Sequence, residues 1–165
     1  LLERNTFNDP SRPEDGLQGF GIALTIAGVG VFLGAFLAPY GVARFGRHRW
    51  IKFAMFASAA APLILAASQT KITLSLTAFL ASFFGQNIKV TNDALVQSKI
   101  DDYYRGRVFA VYDVVVNGAI VSGGLIAALL LPTSGLTPNV PLVVSAAYLL
   151  VAVVVLRTAK FKAIY

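Results

Sequence analysis

The chain has no cysteine, a single histidine, a single methionine and a single tryptophan, and only 13% of its 165 residues are charged. Without cysteine there is no disulfide framework, no thiolate metal site and no cysteine nucleophile. No zinc-ligand spacing, glycine-rich phosphate loop or nucleophile–base set is present either. The first apolar run is rich in glycine, but it carries no lysine and none of the acidic residues that nucleotide binding requires. No cofactor and no metal are therefore expected, and the chain is not expected to be an enzyme. It also lacks an initiator Met and a basic-then-apolar signal peptide. Together with an abrupt end at Tyr165, this suggests a piece of a longer protein.

What is present is apolar. Hydrophobic residues make up 56% of the sequence, against about 45–50% in an average soluble domain. Residues 1–16 are polar and turn-rich around Asn8-Asp9-Pro10-Ser11-Arg12-Pro13, and they read as an extracellular or periplasmic loop. Five apolar runs follow, at about 17–43, 50–68, 72–98, 108–131 and 140–156. Most are long enough to cross about 30 Å of hydrocarbon. Residues 157–165 form a basic tail. The fold class expected is all-α, a polytopic membrane helix bundle with five transmembrane helices across 17–156. A soluble core helix would show one polar face at helical period, and the first, second and fifth runs show none. A β-barrel would need alternating segments of about ten residues, and these are not seen.

The net charge of +6 follows this layout. With five spans, Arg44, Arg47, Arg49, Lys52, Lys99, Arg105, Arg107, Arg157, Lys160 and Lys162 fall on one side. Arg4, Arg12 and Lys71 fall on the other. Such an excess marks the cytoplasmic side, so the N-terminus is expected outside and the C-terminus inside a cell membrane. The charge is thus a topology signal, and no nucleic-acid partner is expected.

The third run holds the most informative residues. At 100° per residue, Ser82, Gln86, Lys89, Asp93 and Gln97 share one sector of a helix, with Asn92 at its edge. Asp113 and Asn117 form a second polar pair, one turn apart, in the fourth run. The plainer interpretation is a self-neutralising ion pair, Lys89 to Asp93. At that spacing a pair contributes only about 0.2–0.5 kcal/mol in water. Placing either charge at mid-bilayer costs about 2.5–3.5 kcal/mol. The pair therefore needs further partners or water, which favours a hydrated, bundle-facing polar surface, a gate as readily as a binding site.

Two runs carry small residues every four positions: Gly30, Gly34 and Ala38, then Ala119, Gly123 and Ala127. Both are read as stripes for close helix packing rather than sliding surfaces. Pro39 and Pro62 are expected to bend their helices. Trp50 reads as an interfacial anchor, and His48 as a turn residue.

The segment Pro39 to Arg49 resembles the degenerate second copy of the loop motif G-x-x-x-D-R-x-G-R-[RK] of the major facilitator superfamily. Arg44, Gly46 and Arg47 match, while Pro39 and Ala43 replace its glycine and aspartate. The stretch from Gly85-Gln86-Asn87-Ile88-Lys89 to Asp93, Asp101, Arg105-Gly106-Arg107-Val108-Phe109, Asp113 and Asn117 resembles the helix ten to eleven region of a bacterial, actinobacterial-like branch. The resemblance covers essentially the whole chain and implies helices eight to twelve of a twelve-helix fold.

It further implies a fragment of a secondary active transporter, moving a small-molecule solute by alternating access, with export as one open direction. Its implied partners are the lipid bilayer, the solute, a proton as one candidate coupling ion, and the missing N-terminal half. Gln86, Lys89, Asn92, Asp93, Asp113 and Asn117 would line the pathway or gate. Arg44, Gly46, Arg47, Arg105, Gly106 and Arg107 would form cytoplasmic loops, with Arg44 and Arg47 pairing with Asp93, Asp101 or Asp102 on closure. The alternative is a non-transporting membrane assembly subunit, in which the polar cluster holds helices together.

Overall fold

The computed structural model describes residues 1–9 and 11–158. Pro10 of the turn-rich segment, and Lys160 and Lys162 of the basic tail, lie outside the described residues. Six helices appear among the described residues: α1 (Leu2–Asn5), α2 (Pro13–Phe45), α3 (Arg47–Ala67), α4 (Lys71–Lys99), α5 (Asp102–Leu130) and α6 (Asn139–Arg157). The all-α bundle expected from the sequence is what forms.

Local chemistry sets the helix ends. Pro13 occupies the first helical turn of α2, where its missing N–H costs nothing. Glu14 and Asp15 follow in the same turn, matched to the positive end of the helix dipole. Ahead of them, Asp9 accepts the Ser11 amide at 2.9 Å, which holds its carboxyl below the usual range. Gly46 alone separates α2 from α3, at φ 80°, a left-handed conformation natural to glycine. Its N–H donates to Val42 O, and its carbonyl accepts from Trp50 N. Thr70 and Thr73 form a reciprocal capping box at the start of α4. Asp101 caps α5 by accepting the Tyr103 amide at 3.3 Å.

These caps correct two expectations. Arg105, Gly106 and Arg107 are not in a loop: capping at Asp101 starts α5 at Asp102, so they lie in its first two turns. The segment 39–49 is likewise helical except at Gly46, with Arg44 in the last turn of α2 and Arg47 opening α3. Hydropathy places a boundary where apolar side chains stop, whereas backbone hydrogen bonds continue into the charged residues beyond. The polar N-terminal segment also holds the short helix α1, which apolar periodicity had no means of revealing. Pro39 and Pro62 both sit inside continuous helices.

α2 packs along α4, and α3 lies against both α4 and α6. The α2–α4 contact is backbone-close. A Cβ added at Gly34 would lie 2.5 Å from Phe83 O, and one at Gly30 would lie 2.6 Å from Phe79 O. Among the described residues, the buried apolar side chains of the bundle are alanines and two prolines, Pro62 and Pro141, apart from Ile51 and Leu95. Ser145 Oγ donates to Ala59 O at 2.5 Å, tying α6 to α3. Large apolar side chains such as Phe32, Phe36, Leu125 and Leu150 point outward. Small residues inside and large ones outside suit helices packed in lipid, where apolar surface needs no cover from water.

Helices α2 (from Glu14), α3, α5 and α6 are long and apolar enough to cross a membrane. α4 has 29 residues, roughly 40 Å of helix, but its polar residues lower its hydropathy. Among the described residues α5 stands apart, with no buried residue and no extended contact to another helix. The stripe expected to pack there is open: a Cβ at Gly123 would meet nothing within 4 Å.

Candidate functional site

α4 carries polar residues on two faces, and the structure separates them. One is inward. Asn87, Thr91 and Leu95 recur every fourth residue and are buried. Asn87 is fully enclosed; its Nδ2 donates to Phe83 O at 2.8 Å and its Oδ1 accepts from Trp50 Nε1 at 3.2 Å. Thr91 Oγ1 donates back to Asn87 O at 2.8 Å. The Trp50 indole lies over Gly41 of α2 with no room for a Cβ, so α2, α3 and α4 meet at this point. Phe45 stacks on Trp50 with ring centroids 5.8 Å apart, and the Arg44 guanidinium lies 5.8 Å from the Phe45 ring. Trp50 is therefore a packing and hydrogen-bonding residue at the start of α3.

The second face lies about 200° around the helix from Asn87. Here Lys89 Nζ donates to Asp93 Oδ2 at 2.7 Å, with the side chains 42% and 23% exposed. The other carboxylate oxygen, Asp93 Oδ1, is shielded and has no hydrogen-bond donor. The pair is thus half satisfied. Gln86 is half-buried, and its Cβ faces Gly34 of α2. Asn92 is half-buried beside them. From α5, Asp113 lies within electrostatic range of Lys89. Asn117 Nδ2 donates to Asp113 O at 2.8 Å, one turn back on its own helix, and both residues are exposed.

The basic residues are not gathered at this face. Among the described residues the ion pairs are Lys89–Asp93 and Asp102–Arg105. Arg105 also donates to Gln97 O at 3.4 Å, linking the start of α5 to the end of α4. Arg44 stacks on Phe45 rather than pairing with Asp93, Asp101 or Asp102. Gly46 supplies the joint between α2, with Arg44 in its last turn, and α3, which opens on Arg47.

Asn87 is the residue that a search for charge overlooks. Its signal was the i, i+4, i+8 recurrence of Asn87, Thr91 and Leu95. Replacing Asn87 with Leu leaves the Trp50 N–H buried without an acceptor, at a cost of about 1–3 kcal/mol. The thermal midpoint of the purified full-length protein is expected to fall. Trp50→Phe in the same background is expected to add less than it does alone, because both changes remove one bond.

Comparison with known proteins agrees with this architecture. The family model described as Major Facilitator Superfamily matches residues 12–163. Two curated relatives, each named as an uncharacterised MFS-type transporter, come from Mycobacterium bovis and Mycobacterium tuberculosis. Each is 34% identical over 134 residues, covering 79% of this chain and 30% of the relative. The chain thus spans under a third of the length of these relatives. No solved structure gives a significant match.

Proposed function

The chain belongs to the Major Facilitator Superfamily, and from that premise we propose that it is the C-terminal part of a secondary active transporter. The whole protein would carry a small solute across the cell membrane by alternating access, its two halves rocking about a central pathway. In this reading α2 to α6 are five spans, α4 included, with the N-terminal segment outside and the basic tail in the cytoplasm. The remainder of the protein supplies the other half of the pathway.

One observation carries the reading: the half-satisfied Lys89–Asp93 pair of α4, on a different face of the helix from the buried Asn87. Ionisable residues within spans are costly and mark substrate or ion paths. An acceptor left without a donor in such a span is a place where a solute, a proton or a moving side chain gains most by arriving. Asp93 is the group assigned to that exchange, with Gln86, Asn92, Asp113 and Asn117 as the polar wall around it. Arg44 and Arg47 stand near the same end of the bundle as candidates to engage Asp93 when the cytoplasmic side closes. A proton is the coupling ion that a lone carboxylate oxygen accommodates most simply, and the direction of transport is left open.

The test is transport by the full-length protein in sealed vesicles under an imposed pH gradient, across a panel of labelled solutes. Asp93→Asn keeps size and hydrogen bonding but removes the charge. It is expected to lower the transport rate at least about tenfold, equivalent to 1.4 kcal/mol on the barrier, with normal insertion. Wild-type rates in Asp93→Asn would remove Asp93 from the mechanism.

A further inference from the structure

At the opposite end of α4 lies a feature that transport through the Lys89–Asp93 face does not use. A partly open cavity of about 650 Å³ is enclosed where α1, the first turns of α2, the end of α3, the start of α4 and the α5–α6 connection meet. That volume falls within the range of about 300–1,000 Å³ typical of small-molecule sites. Its walls are mostly apolar and include Leu17, Phe20, Leu65, Leu74 and Val140.

The roof is tied down by polar bonds. Thr6 Oγ1 donates to Ser134 O at 2.7 Å, Asn5 Nδ2 donates to Thr133 O, and the Thr137 amide donates to Gln69 Oε1 at 3.1 Å. Gly135, at φ 77°, lets the start of α1 sit directly on the connection.

One charge lines this cavity from a buried position. Glu3 is only 7% exposed, and its carboxylate lies against Gly19 of α2. Its Oε2 accepts from Asn8 Nδ2 at 3.2 Å, and no ion pair reaches it among the described residues. Lys71 Nζ approaches only as far as Asn8 Oδ1, at 2.7 Å, so the amide stands between cation and carboxylate. Arg4 also lines the cavity but is exposed overall, its Cα and Cβ resting on Gly16. A buried carboxylate is costly until a cation joins it. An anion would be repelled by Glu3, and a neutral apolar molecule would leave it as it is.

We propose that this cavity binds a lipophilic organic cation, its charge set against Glu3 and its apolar body against Leu17, Phe20, Leu65 and Leu74. The site is distinct from the transport face: Leu74 and Lys89 are separated by roughly 22 Å of helix.

The experiment measures binding of radiolabelled tetraphenylphosphonium to the full-length protein in lipid nanodiscs, with empty nanodiscs subtracted. Saturable binding is expected, with tetraphenylborate, an anion of the same shape, failing to compete. Glu3→Gln is expected to weaken binding about tenfold or more. Leu74→Trp, which adds bulk to the apolar wall and leaves Glu3 unchanged, is expected to do the same. The second variant keeps the test decisive if the first does not fold. Absence of saturable binding, or wild-type affinity in Leu74→Trp, overturns the proposal. So does loss of binding in Asp93→Asn with retention in Glu3→Gln, which would put the cation in the transport pathway instead.

Discussion

Replacing Gly34 with Leu is expected to abolish the monodisperse, thermally stable form of the full-length protein, while Gly123→Leu leaves it nearly intact. Even a single Cβ at Gly34 would stand 2.5 Å from the backbone oxygen of Phe83 and 3.1 Å from Gln86 Cβ. A carbonyl held in a helix cannot turn aside as a flexible side chain can, so the two helices must separate. Overpacking of this kind costs about 1–3 kcal/mol even where neighbours can adjust. Here the loss extends along the whole α2–α4 contact, because van der Waals packing is a main force holding helices together in lipid. Gly34→Ala is expected to show the same defect at smaller size. Size-exclusion profiles and thermal midpoints in detergent provide the check. A comparable loss in Gly123→Leu would mean that a partner outside this chain covers α5.

That contrast shows what a sequence pattern can carry. Gly30-Gly34-Ala38 and Ala119-Gly123-Ala127 are alike as strings, and both were legible as packing stripes. Only the first meets a partner among the described residues, because partner choice depends on how the helices are arranged in space. The all-α bundle was legible, since helix length and apolar runs are local properties. The ends of α5 were less so. Asp101 sets the first of them through one side-chain bond to the Tyr103 amide, and hydropathy is blind to that bond. α1 escaped because it lies in a polar segment with no apolar periodicity.

The site divides in the same way. Lys89 and Asp93 announced themselves by charge, and their spacing alone implied the contact seen at 2.7 Å. Which oxygen of Asp93 would be left without a donor could not be read from the string, because it depends on what α2, α3 and α5 bring near it. Asn87 was hidden more deeply. A neutral amide in a polar-rich helix gives no warning that it will be the most enclosed polar side chain on α4, and Trp50, its partner, lies 37 residues away in sequence. Asp113 and Asn117 were expected beside Gln86. They sit on a helix without extended contact to another among the described residues, Asp113 within electrostatic range of Lys89 and Asn117 bonded to its own backbone.

Exchanging the charges of the ion pair is expected to restore a stable protein that no longer transports. Lys89→Leu alone leaves the Asp93 carboxylate with neither oxygen paired, and Asp93→Leu alone strands the ammonium. Each leaves one charge in the span at a cost of up to about 2.5–3.5 kcal/mol, so both single variants are expected to insert poorly and unfold at lower temperature. The double variant Lys89→Leu, Asp93→Leu carries no charge and is expected to recover stability, as buried pairs replaced by apolar residues often do. The exchange Lys89→Asp, Asp93→Lys keeps both charges one turn apart. It also moves the anion toward the start of the helix, the better orientation for such a pair. If the pair served only to hold the bundle together, the exchanged protein would regain everything, transport included. If Asp93 takes up a donor from across the pathway, as proposed, the exchange presents an ammonium where a carboxylate oxygen stood, and the rate is expected to stay at least about tenfold down. Folding measured by thermal midpoint and transport measured in vesicles thus separate in one set of four variants, and recovery of both in the exchanged protein would reduce Lys89 and Asp93 to structural glue.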